Sequence, residues 1–389
     1  MINRDLAPRL REAAKAFPAV TLTGPRQSGK STLCREIFPD KAYANLEAPD
    51  VRAFAIEDPR GFLAQYPDGA VLDEVQRAPE LPSYLQPVLD EDPVPGRWIL
   101  TGSQNFALLE SVSQSLAGRS AVLHLLPLSY AETVRFPKPP GTLDAVMFTG
   151  GYPRIYDQGL SPPQWLASYV ATYIERDVRS VTKVGDLATF QRFVELCAGR
   201  TGQLINYSNL ASDAGISQPT AKAWLSILEA SFIVFRQPAY SGNLRKRLVK
   251  MPKLHFYDTG LVCWLLGLRS AEQLATHPLR GSIFESWVVS EIVKHRVHAG
   301  ESPGVLFYRD KNGVEADFIL EHPDRIVVGD AKAGRTAASD LLTPVRKVEE
   351  VLAQVRETRG VVIYGGDARQ DRSSVTLLPW QQIHEGPWL

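Results

Sequence analysis

The hydrophobic residues in the N-terminal part of the chain follow two spacings. Helical spacing at the start predicts an amphipathic helix, with apolar residues at Leu6, Leu10, Ala13 and Phe17. Short continuous apolar runs predict buried strands at residues 19–23, 41–46, 69–72 and 97–100. Strands that alternate with helical segments indicate an α/β fold, in which helices cover both faces of a parallel sheet.

The pattern changes in the second half of the chain. Residues 136–142 (FPKPPGT) predict a boundary or lid junction, and residues 161–183 predict a helical segment with Ser161 as its N-cap. Residues 186–260 predict helices followed by a hairpin. Further on, a helix (FESWVVSEIVKHRV) precedes two strands (VEADFILE and RIVVGDAKA) joined by a short turn. We therefore expect two or three domains in this chain of 389 residues.

The first predicted strand runs into the segment GPRQSGKST, which fits the pattern G-x-x-x-x-G-K-[ST]. Gly24 and Gly29 let the loop backbone wrap phosphates with its N–H groups, and the following helix presents its positive N-terminus. Lys30 is expected to reach the β- and γ-phosphates of ATP, and the Ser31 hydroxyl to ligate Mg²⁺. The alternative is a glycine-rich turn that binds no ligand. The predicted nucleotide-binding residues of this segment are Gly24, Pro25, Arg26, Gln27, Ser28, Gly29, Lys30, Ser31 and Thr32.

Polar residues after the later strands complete the predicted nucleotide site. Asp73 fits the Walker B position and would serve the metal, while Glu74 would orient or deprotonate the attacking water. A solvated turn is the alternative for this acidic pair. Ser103 or Gln104 is the candidate contact to the γ-phosphate or the attacking water, with helix capping by Ser103 as the alternative. Arg119 is a candidate arginine finger acting across a subunit boundary, and a surface salt bridge is the competing interpretation.

Five segments, read in order, resemble the front half of prokaryotic AAA+-type ATPases: GPRQSGKST, VLDEVQ, LTGSQNF, AGR…LPLSYAE and GGYPRIY. The back half of that family is a poorly characterised domain similar to restriction-endonuclease-like folds. The resemblance covers nearly the whole chain and is specific for ATP binding rather than for a biological role. It implies that Lys30, Ser31, Asp73 and Glu74 serve the nucleotide, and that Ser103 lies near a sensor position. It also implies a homo-oligomer, with a hexamer as one option.

The resemblance and the pattern together give the expected architecture. The fold is α/β, with a P-loop AAA+-like parallel sheet and a helical lid, then a winged helix, then an α/β restriction-endonuclease-like domain. The expected boundaries are 1–135 for the ATPase core, 136–185 for the lid or linker, 186–265 for the winged helix and 266–389 for the C-terminal domain.

Residues 208–220 predict a helix-turn-helix, with a turn at Gly215 and Ser217 capping the second helix. The segment between the apolar strands FIVF and KLHFY would form a basic wing, whose cations bind DNA phosphates with salt-sensitive affinity and little sequence preference. A module for protein contacts is the alternative. The predicted DNA-binding residues are Lys222, Arg245, Lys246, Arg247, Lys250 and Lys253.

The two strands near the C-terminus place acidic residues on one face. A four-residue turn between them puts Asp317 opposite Asp330, and the period of two puts Lys332 on the same face as Asp330. With Glu285 on the preceding helix, these residues resemble the PD-(D/E)xK nuclease signature and would hold Mg²⁺. Ala316 stands where the signature has proline. A catalytically silent, DNA-docking centre is the main alternative, and Asp and Lys that serve only solubility are another.

Composition adds limits on partners and compartment. The formal net charge is zero, so any surface for nucleic acid or membrane must be local. The three cysteines are scattered without metal-ligand spacing, which suits a reducing compartment. No apolar run approaches the roughly 20 residues that span a bilayer. We therefore expect a cytoplasmic protein with no membrane partner.

Three functions are consistent with these motifs. The first is Mg²⁺-dependent ATP hydrolysis coupled to binding or remodelling of DNA, including branched DNA. The second is a signalling or defence switch, in which nucleotide occupancy controls oligomer formation and recruitment of a protein partner. The third is an ATP-regulated, metal-dependent nuclease.

Overall fold

The computed structural model describes residues 2–103, 115–174, 187–241 and 251–389, which form two compact units. Unit 1 comprises Met1–Pro127, Ala230–Phe232 and Val297–Gly300. Unit 2 comprises Leu128–Glu229, Ile233–Arg296 and Glu301–Leu389.

Unit 1 is built on a five-stranded parallel sheet with the strand order β2-β3-β4-β1-β5. Its strands are β1 (Ala19–Thr23), β2 (Ala42–Asn45), β3 (Ala70–Asp73), β4 (Trp98–Gly102) and β5 (Ser120–His124). Its helices are α1 (Ala7–Ala16), α2 (Lys30–Ile37), α3 (Pro49–Glu57), α4 (Pro59–Ala64) and α5 (Leu81–Glu91), with a 3-10 turn at Val75–Arg77. The predicted α/β fold with a parallel sheet is confirmed, and β5 is a strand that the hydrophobic pattern did not single out.

Apolar side chains cover both faces of this sheet. Val71 and Ile99 belong to one buried cluster with Leu10 of α1, whereas Leu72 and Leu100 belong to a second cluster on the opposite face. Strands β1, β3 and β4 are buried at every position, as expected for a parallel sheet between helices. Because β4 lies between β1 and β3, the carboxyl ends of these three strands meet at one edge of the sheet.

Unit 2 begins with a helical region. Its helices are α6 (Tyr130–Thr133), α7 (Leu143–Thr149), α8 (Pro153–Asp157) and α9 (Pro162–Tyr169), and a π-helical turn (Val170–Ile174) follows. Ser161 precedes α9, as predicted, but its side chain makes no capping hydrogen bond. Helix α9 therefore starts where the prolines of its first turn favour a helix, and the Ser161 side chain does not cap it.

Helices and a small antiparallel sheet follow. The elements are α10 (Leu187–Ala198), β6 (Gln203–Leu204), α11 (Tyr207–Ala214), α12 (Gln218–Ala230), β7 (Val234–Gln237) and β8 (Lys253–Phe256). The sheet has the order β6-β8-β7. Gly215 ends α11 with a positive φ of 72°, and the Ser217 hydroxyl accepts a hydrogen bond from the Thr220 backbone N–H at 3.2 Å. The predicted turn and cap are confirmed.

A six-stranded mixed sheet dominates the C-terminal part, with the order β13-β14-β12-β11-β10-β9. Its strands are β9 (Val305–Arg309), β10 (Glu315–Glu321), β11 (Arg325–Lys332), β12 (Glu357–Tyr364), β13 (Gln370–Arg372) and β14 (Val375–Pro379). The remaining elements are α13 (Thr259–Leu265), α14 (Ala271–Ala275), α15 (Arg280–His298) and α16 (Thr343–Leu352), with 3-10 segments at Ser339–Leu342 and Trp380–Glu385.

The predicted helix and its two following strands are confirmed as α15, β10 and β11. These strands are antiparallel neighbours, and the His322 N–H donates to the Arg325 carbonyl at 2.9 Å to close the turn between them. Among the described residues, no helix has the length and apolar character needed to cross a bilayer.

Candidate nucleotide site and acidic centre

The loop between β1 and α2 requires glycine at two positions, for different reasons. Gly24 has a φ of 146°, and a Cβ atom there would overlap the carbonyl oxygen of Leu125. Gly29 precedes α2 in the left-handed region with a φ of 96°, which favours glycine over any other residue. The loop backbone therefore curves closely against the end of the sheet and then enters the helix directly.

Lys30 is the first residue of α2, and its side chain is buried inside this loop. Its ammonium donates to the carbonyl oxygens of Gly24 at 3.0 Å and Pro25 at 2.8 Å. Burial lowers the pKa of Lys30 to about 8, although the nearby carboxylates of Glu74 and Asp73 act in the opposite direction. The loop thus encloses a desolvated cation whose two hydrogen-bond acceptors are neutral.

Asp73 ends β3, and both of its carboxylate oxygens accept hydrogen bonds. The Thr101 hydroxyl donates to Oδ1 and the Tyr43 hydroxyl donates to Oδ2. The parallel register that pairs Leu72 with Leu100 brings Asp73 beside Thr101. Burial and the hydrogen bond to Asp73 raise the pKa of Tyr43 to about 12, so the phenol stays protonated and continues to donate. The acid is therefore held in one orientation from two neighbouring strands.

Glu74 follows Asp73 in the left-handed conformation, with a φ of 60°. Its Oε2 atom accepts hydrogen bonds from the Gln76 side-chain amide and from the Ser103 hydroxyl, the latter at 3.2 Å. Left-handed backbone is uncommon for a residue other than glycine and is concentrated at functional sites. The structure therefore brings the predicted residues Glu74 and Ser103 together and adds Gln76, which was not predicted.

Arg4 supports the loop from behind. Its guanidinium donates to the Ser28 carbonyl at 2.6 Å and to the Leu126 carbonyl at 2.8 Å, and the residue is buried. The sequence carries no signal for this contact, since Arg4 lies before the first predicted helix. The loop conformation consequently depends on a residue outside the recognisable motif.

The remaining loop residues differ in exposure. Pro25 and Ser28 are buried, Arg26, Gln27 and Ser31 are half-buried, and Thr32 is exposed. Ser31 and Thr32 lie in the first turn of α2, next to the N–H groups that the helix leaves unpaired. This arrangement offers backbone donors, a buried cation and a hydroxyl to an anion and its counterion.

Comparisons with known proteins agree with this site. Residues 16–134 match the family model of an AAA domain. This N-terminal segment is a P-loop ATPase-type domain. Two further stretches match domains of unknown function, DUF8612 at residues 141–272 and DUF4143 at residues 280–383.

Two relatives are similar to this chain beyond residues 16–134. Uncharacterized proteins of Mycobacterium bovis and Mycobacterium tuberculosis are each 29% identical over 386 residues, which covers 98% of this chain and 84% of theirs. A Walker-type ATPase of Pyrococcus abyssi is similar with a TM-score of 0.47 and 15% identity, covering 68% of this chain and 96% of that one. A protein from Vibrio cholerae has a TM-score of 0.22 and 10% identity, covering 95% of this chain and 96% of that one.

Arg119 lies at the end of the ATPase-type domain and forms an ion pair with Asp90. Its Nε donates to Asp90 Oδ1, and its Nη2 donates to Oδ2 at 2.9 Å. Both side chains are partly exposed. In the chain as it stands Arg119 thus makes a surface salt bridge, while its role across a subunit boundary stays a prediction.

Two of the six predicted DNA-binding residues lie in the described part of the chain. Lys222 is exposed on α12, with its ammonium 5.5 Å from the centre of the Tyr207 ring. Lys253 is buried, so the prediction that it belongs to an exposed wing is wrong. The physical reason is that β8 is the central strand of its sheet and is buried along its length. The predicted residues outside the described part are Gln104, Arg245, Lys246, Arg247 and Lys250.

Lys253 instead contacts the predicted acidic centre. Its ammonium lies 2.7 Å from Glu285 Oε1, 2.7 Å from Glu315 Oε1 and 3.4 Å from Asp317 Oδ1. Although burial by itself lowers the pKa of Lys253, attraction from Glu285, Asp317 and Glu315 raises it above the usual value. Glu315 was missed by the sequence reasoning, but its spacing of two from Asp317 places both on one face of β10.

The other side of the centre is formed by Asp317, Asp330 and Lys332. The register of β10 and β11 pairs Phe318 with Gly329, which brings Asp317 opposite Asp330, as predicted. Burial, followed by the charge of the facing Asp317, raises the pKa of Asp330 well above its usual range. Lys332 Nζ lies 2.6 Å from Asp330 Oδ2.

Proposed function

We propose that this protein is a Mg²⁺-dependent ATP hydrolase that couples hydrolysis to the binding or remodelling of DNA. One observation carries the ATPase part of the proposal. Within the described part of the chain, the buried ammonium of Lys30 donates only to carbonyl oxygens of its own loop, and it lies close to the Asp73–Glu74 pair. A desolvated cation of this kind gains most when an anionic phosphate replaces its neutral partners.

The residues of the loop fit a nucleoside triphosphate with its metal ion. Lys30 would exchange the Gly24 and Pro25 carbonyls for phosphate oxygens, and the N–H groups of the loop and of α2 would bind the same phosphates. The Ser31 hydroxyl would hold the Mg²⁺, with Asp73 behind it. Bound Mg²⁺ neutralises the charge that develops on the phosphates. The fit is supported by the Ser28 hydroxyl, which is buried and has no hydrogen-bond partner in the described structure.

Glu74 is the proposed general base. Its carboxylate is bound by Gln76 and Ser103, so it must turn away from the amide before it can accept a proton from water. Ser103 would then remain near the γ-phosphate as the sensor residue. Arg119 would leave Asp90 for the site of a neighbouring subunit in a homo-oligomer, where it would stabilise the transition state.

The DNA part of the proposal is supported by the order of elements from α10 to β8. Three helices, the short strand β6 and the pair β7–β8 follow the order of a winged helix, with α12 as the second helix of the helix-turn-helix. Lys222 is exposed on α12. Its cation, together with the basic segment Arg245–Lys250, would bind phosphates with a strong dependence on salt.

The experiment measures the ATPase rate with duplex, single-stranded and branched DNA, comparing wild type with Glu74→Gln. The wild type should be stimulated by at least one DNA, and Glu74→Gln should retain nucleotide but lose about 10²–10⁴-fold in turnover, the usual contribution of a general base. A gel-shift titration at rising salt tests binding directly. Absence of nucleotide binding at millimolar concentration would refute the whole proposal. Absence of DNA binding at low salt, with and without ATP, would remove only the DNA part.

A second function, a nucleotide-controlled switch that recruits a protein partner, is favoured by one observation. The hydrogen bonds from Gln76 and Ser103 occupy Glu74 and would keep hydrolysis slow until a partner releases it. Slow hydrolysis that no DNA changes, together with a nucleotide-dependent change of mass in light scattering, would select the switch over the DNA-coupled ATPase.

A further inference from the structure

The acidic centre of unit 2 gathers four carboxyl groups from three elements. Glu285 comes from α15, Glu315 and Asp317 come from β10, and Asp330 comes from β11. A divalent ion held by such a centre would contact the carboxylate oxygens directly, at about 2.0–2.6 Å. The facing oxygens of Glu285, Glu315 and Asp317, however, already contact a cation of the chain.

That cation is the ammonium of Lys253. Its three N–H donors face three carboxylate oxygens, at 2.7, 2.7 and 3.4 Å. A metal ion that used these oxygens would need the same position as the ammonium, and two cations there would repel each other strongly in a buried environment. The ammonium and a divalent ion thus exclude each other.

The neighbourhood of Lys253 holds the side chain in this position. His255, two residues further along β8, makes contacts with the Ser286 hydroxyl at 3.2 Å and the Gln237 side-chain oxygen at 2.9 Å. The Gln237 amide in turn donates to the Asp317 carbonyl at 2.8 Å. A buried polar network therefore fixes β8 against the strand that carries two of the acids, and Lys253 itself is buried.

Two further cations of the chain also pair with acids of the centre. Arg309 lies 3.5 Å from the second oxygen of Glu315, and Lys332 pairs with Asp330 on the more exposed side. Three cationic side chains accordingly serve the four acids of the centre, and burial followed by the charge of Asp317 raises the pKa of Asp330 well above its usual range. The residues do not fit the Mg²⁺-dependent nuclease centre that the sequence predicted.

We propose that the acidic centre takes its cation from the chain itself, so that the wild type binds neither Mg²⁺ nor Mn²⁺ there and Lys253→Met opens a divalent-metal site. The centre is then a structural link between β8 and the C-terminal sheet, with a latent metal site beneath its lysine. This inference is independent of the ATPase, since it concerns other residues and needs no nucleotide.

The test titrates the full chain with Mn²⁺ alone and follows free ion by electron paramagnetic resonance. Lys253→Met should bind one additional Mn²⁺ per chain, at least tenfold more tightly than any site of the wild type. The double variant Lys253→Met/Glu285→Gln should lose that gain. Lys332→Met is the matched control, because it removes the other lysine of the centre, and it should show no comparable gain.

Two outcomes would overturn the proposal. One is a folded Lys253→Met protein without additional Mn²⁺ binding. The other is Mn²⁺ binding by the wild type that disappears in Glu285→Gln, and this measurement decides the matter even if the lysine variant fails to fold. Thermal unfolding gives a second readout: Mn²⁺ should raise the melting temperature of Lys253→Met and leave that of the wild type unchanged.

Discussion

Lys30 and Lys253 are both buried lysines close to carboxylates, and they differ in what their ammonium groups contact. Lys30 donates to two carbonyl oxygens, while the neighbouring acids are bound by hydroxyl and amide donors. Lys253 contacts three carboxylates directly. The first cation has unused capacity for an anion, whereas the second has none.

The pKa shifts of the two lysines express the same difference. Burial acts to lower both values. For Lys30 the carboxylates of Glu74 and Asp73 oppose it only in part, and the pKa falls to about 8. For Lys253 the attraction of Glu285, Asp317 and Glu315 exceeds the effect of burial, and the pKa rises. A buried lysine therefore indicates an anion-binding site only when no carboxylate of its own chain pairs directly with the ammonium.

The largest expected effect is a difference in the free energy of unfolding between variants of the two lysines. Lys253→Met should lower the free energy of unfolding by about 3–5 kcal/mol, because it leaves buried carboxylates without their cation. Lys30→Met should lower it by no more than ~1 kcal/mol, because the loss of two hydrogen bonds is offset by removal of a desolvated charge. Urea denaturation at neutral pH, without nucleotide or metal, measures both. Equal losses in the two variants would break the comparison.

The structure contradicts the exposed position predicted for Lys253 but agrees with the loop–helix position predicted for Lys30, and the difference has a physical reason. Lys30 lies in a motif whose spacing is dictated by the phosphate chemistry, so its surroundings are implied locally. Lys253 follows a basic stretch and reads as one more exposed cation, because its burial depends on which strand occupies the centre of a sheet.

The same distinction applies to the other residues of the two sites. Asp317 and Asp330 were placed opposite each other because turn length and the period of two fix the register. Tyr43, on the other hand, contacts Asp73 because β2 happens to be the neighbour of β3, and strand order is not encoded locally. Arg4 was missed for a similar reason, since its contacts with Ser28 and Leu126 join distant parts of the chain.

A smaller effect is expected from the hydroxyl groups that orient Asp73. Thr101→Val and Tyr43→Phe each remove one donor to the carboxylate, and each should reduce Mg²⁺-dependent ATP turnover about 10–100-fold, as for other residues that orient a metal ligand. Binding of nucleotide without metal should change little, since Lys30 is untouched. Steady-state kinetics over a Mg²⁺ titration, together with metal-free binding, provide the two readouts.

Thr21→Val is the matched control for this pair. Thr21 is a buried threonine of the neighbouring strand β1, and its hydroxyl contacts Ser120 at 2.9 Å rather than Asp73. Its replacement should leave the Mg²⁺ dependence unaltered. If the control and Thr101→Val lose turnover equally, the hydroxyl of Thr101 serves the sheet and not the acid.

The smallest expected effect concerns the pH dependence of ATP binding and follows from the pKa of Lys30. Below its free-state pKa of about 8, the lysine is protonated both with and without nucleotide, so affinity should not depend on this group. Above that pH the free protein loses the proton, whereas bound phosphates raise the pKa and retain it. Binding must then take up a proton, and affinity should fall by up to about tenfold per pH unit.

Lys30→Arg separates this titration from every other pH effect. The guanidinium keeps its charge throughout the range, so the variant should show a flat affinity where the wild type declines. Calorimetry in two buffers of different ionisation enthalpy should detect proton uptake by the wild type alone. The same slope in both proteins would mean that Lys30 is fully charged before ATP arrives. The loop would then stabilise the charged ammonium of Lys30, as the acidic centre stabilises that of Lys253. The contrast between the two sites would not hold.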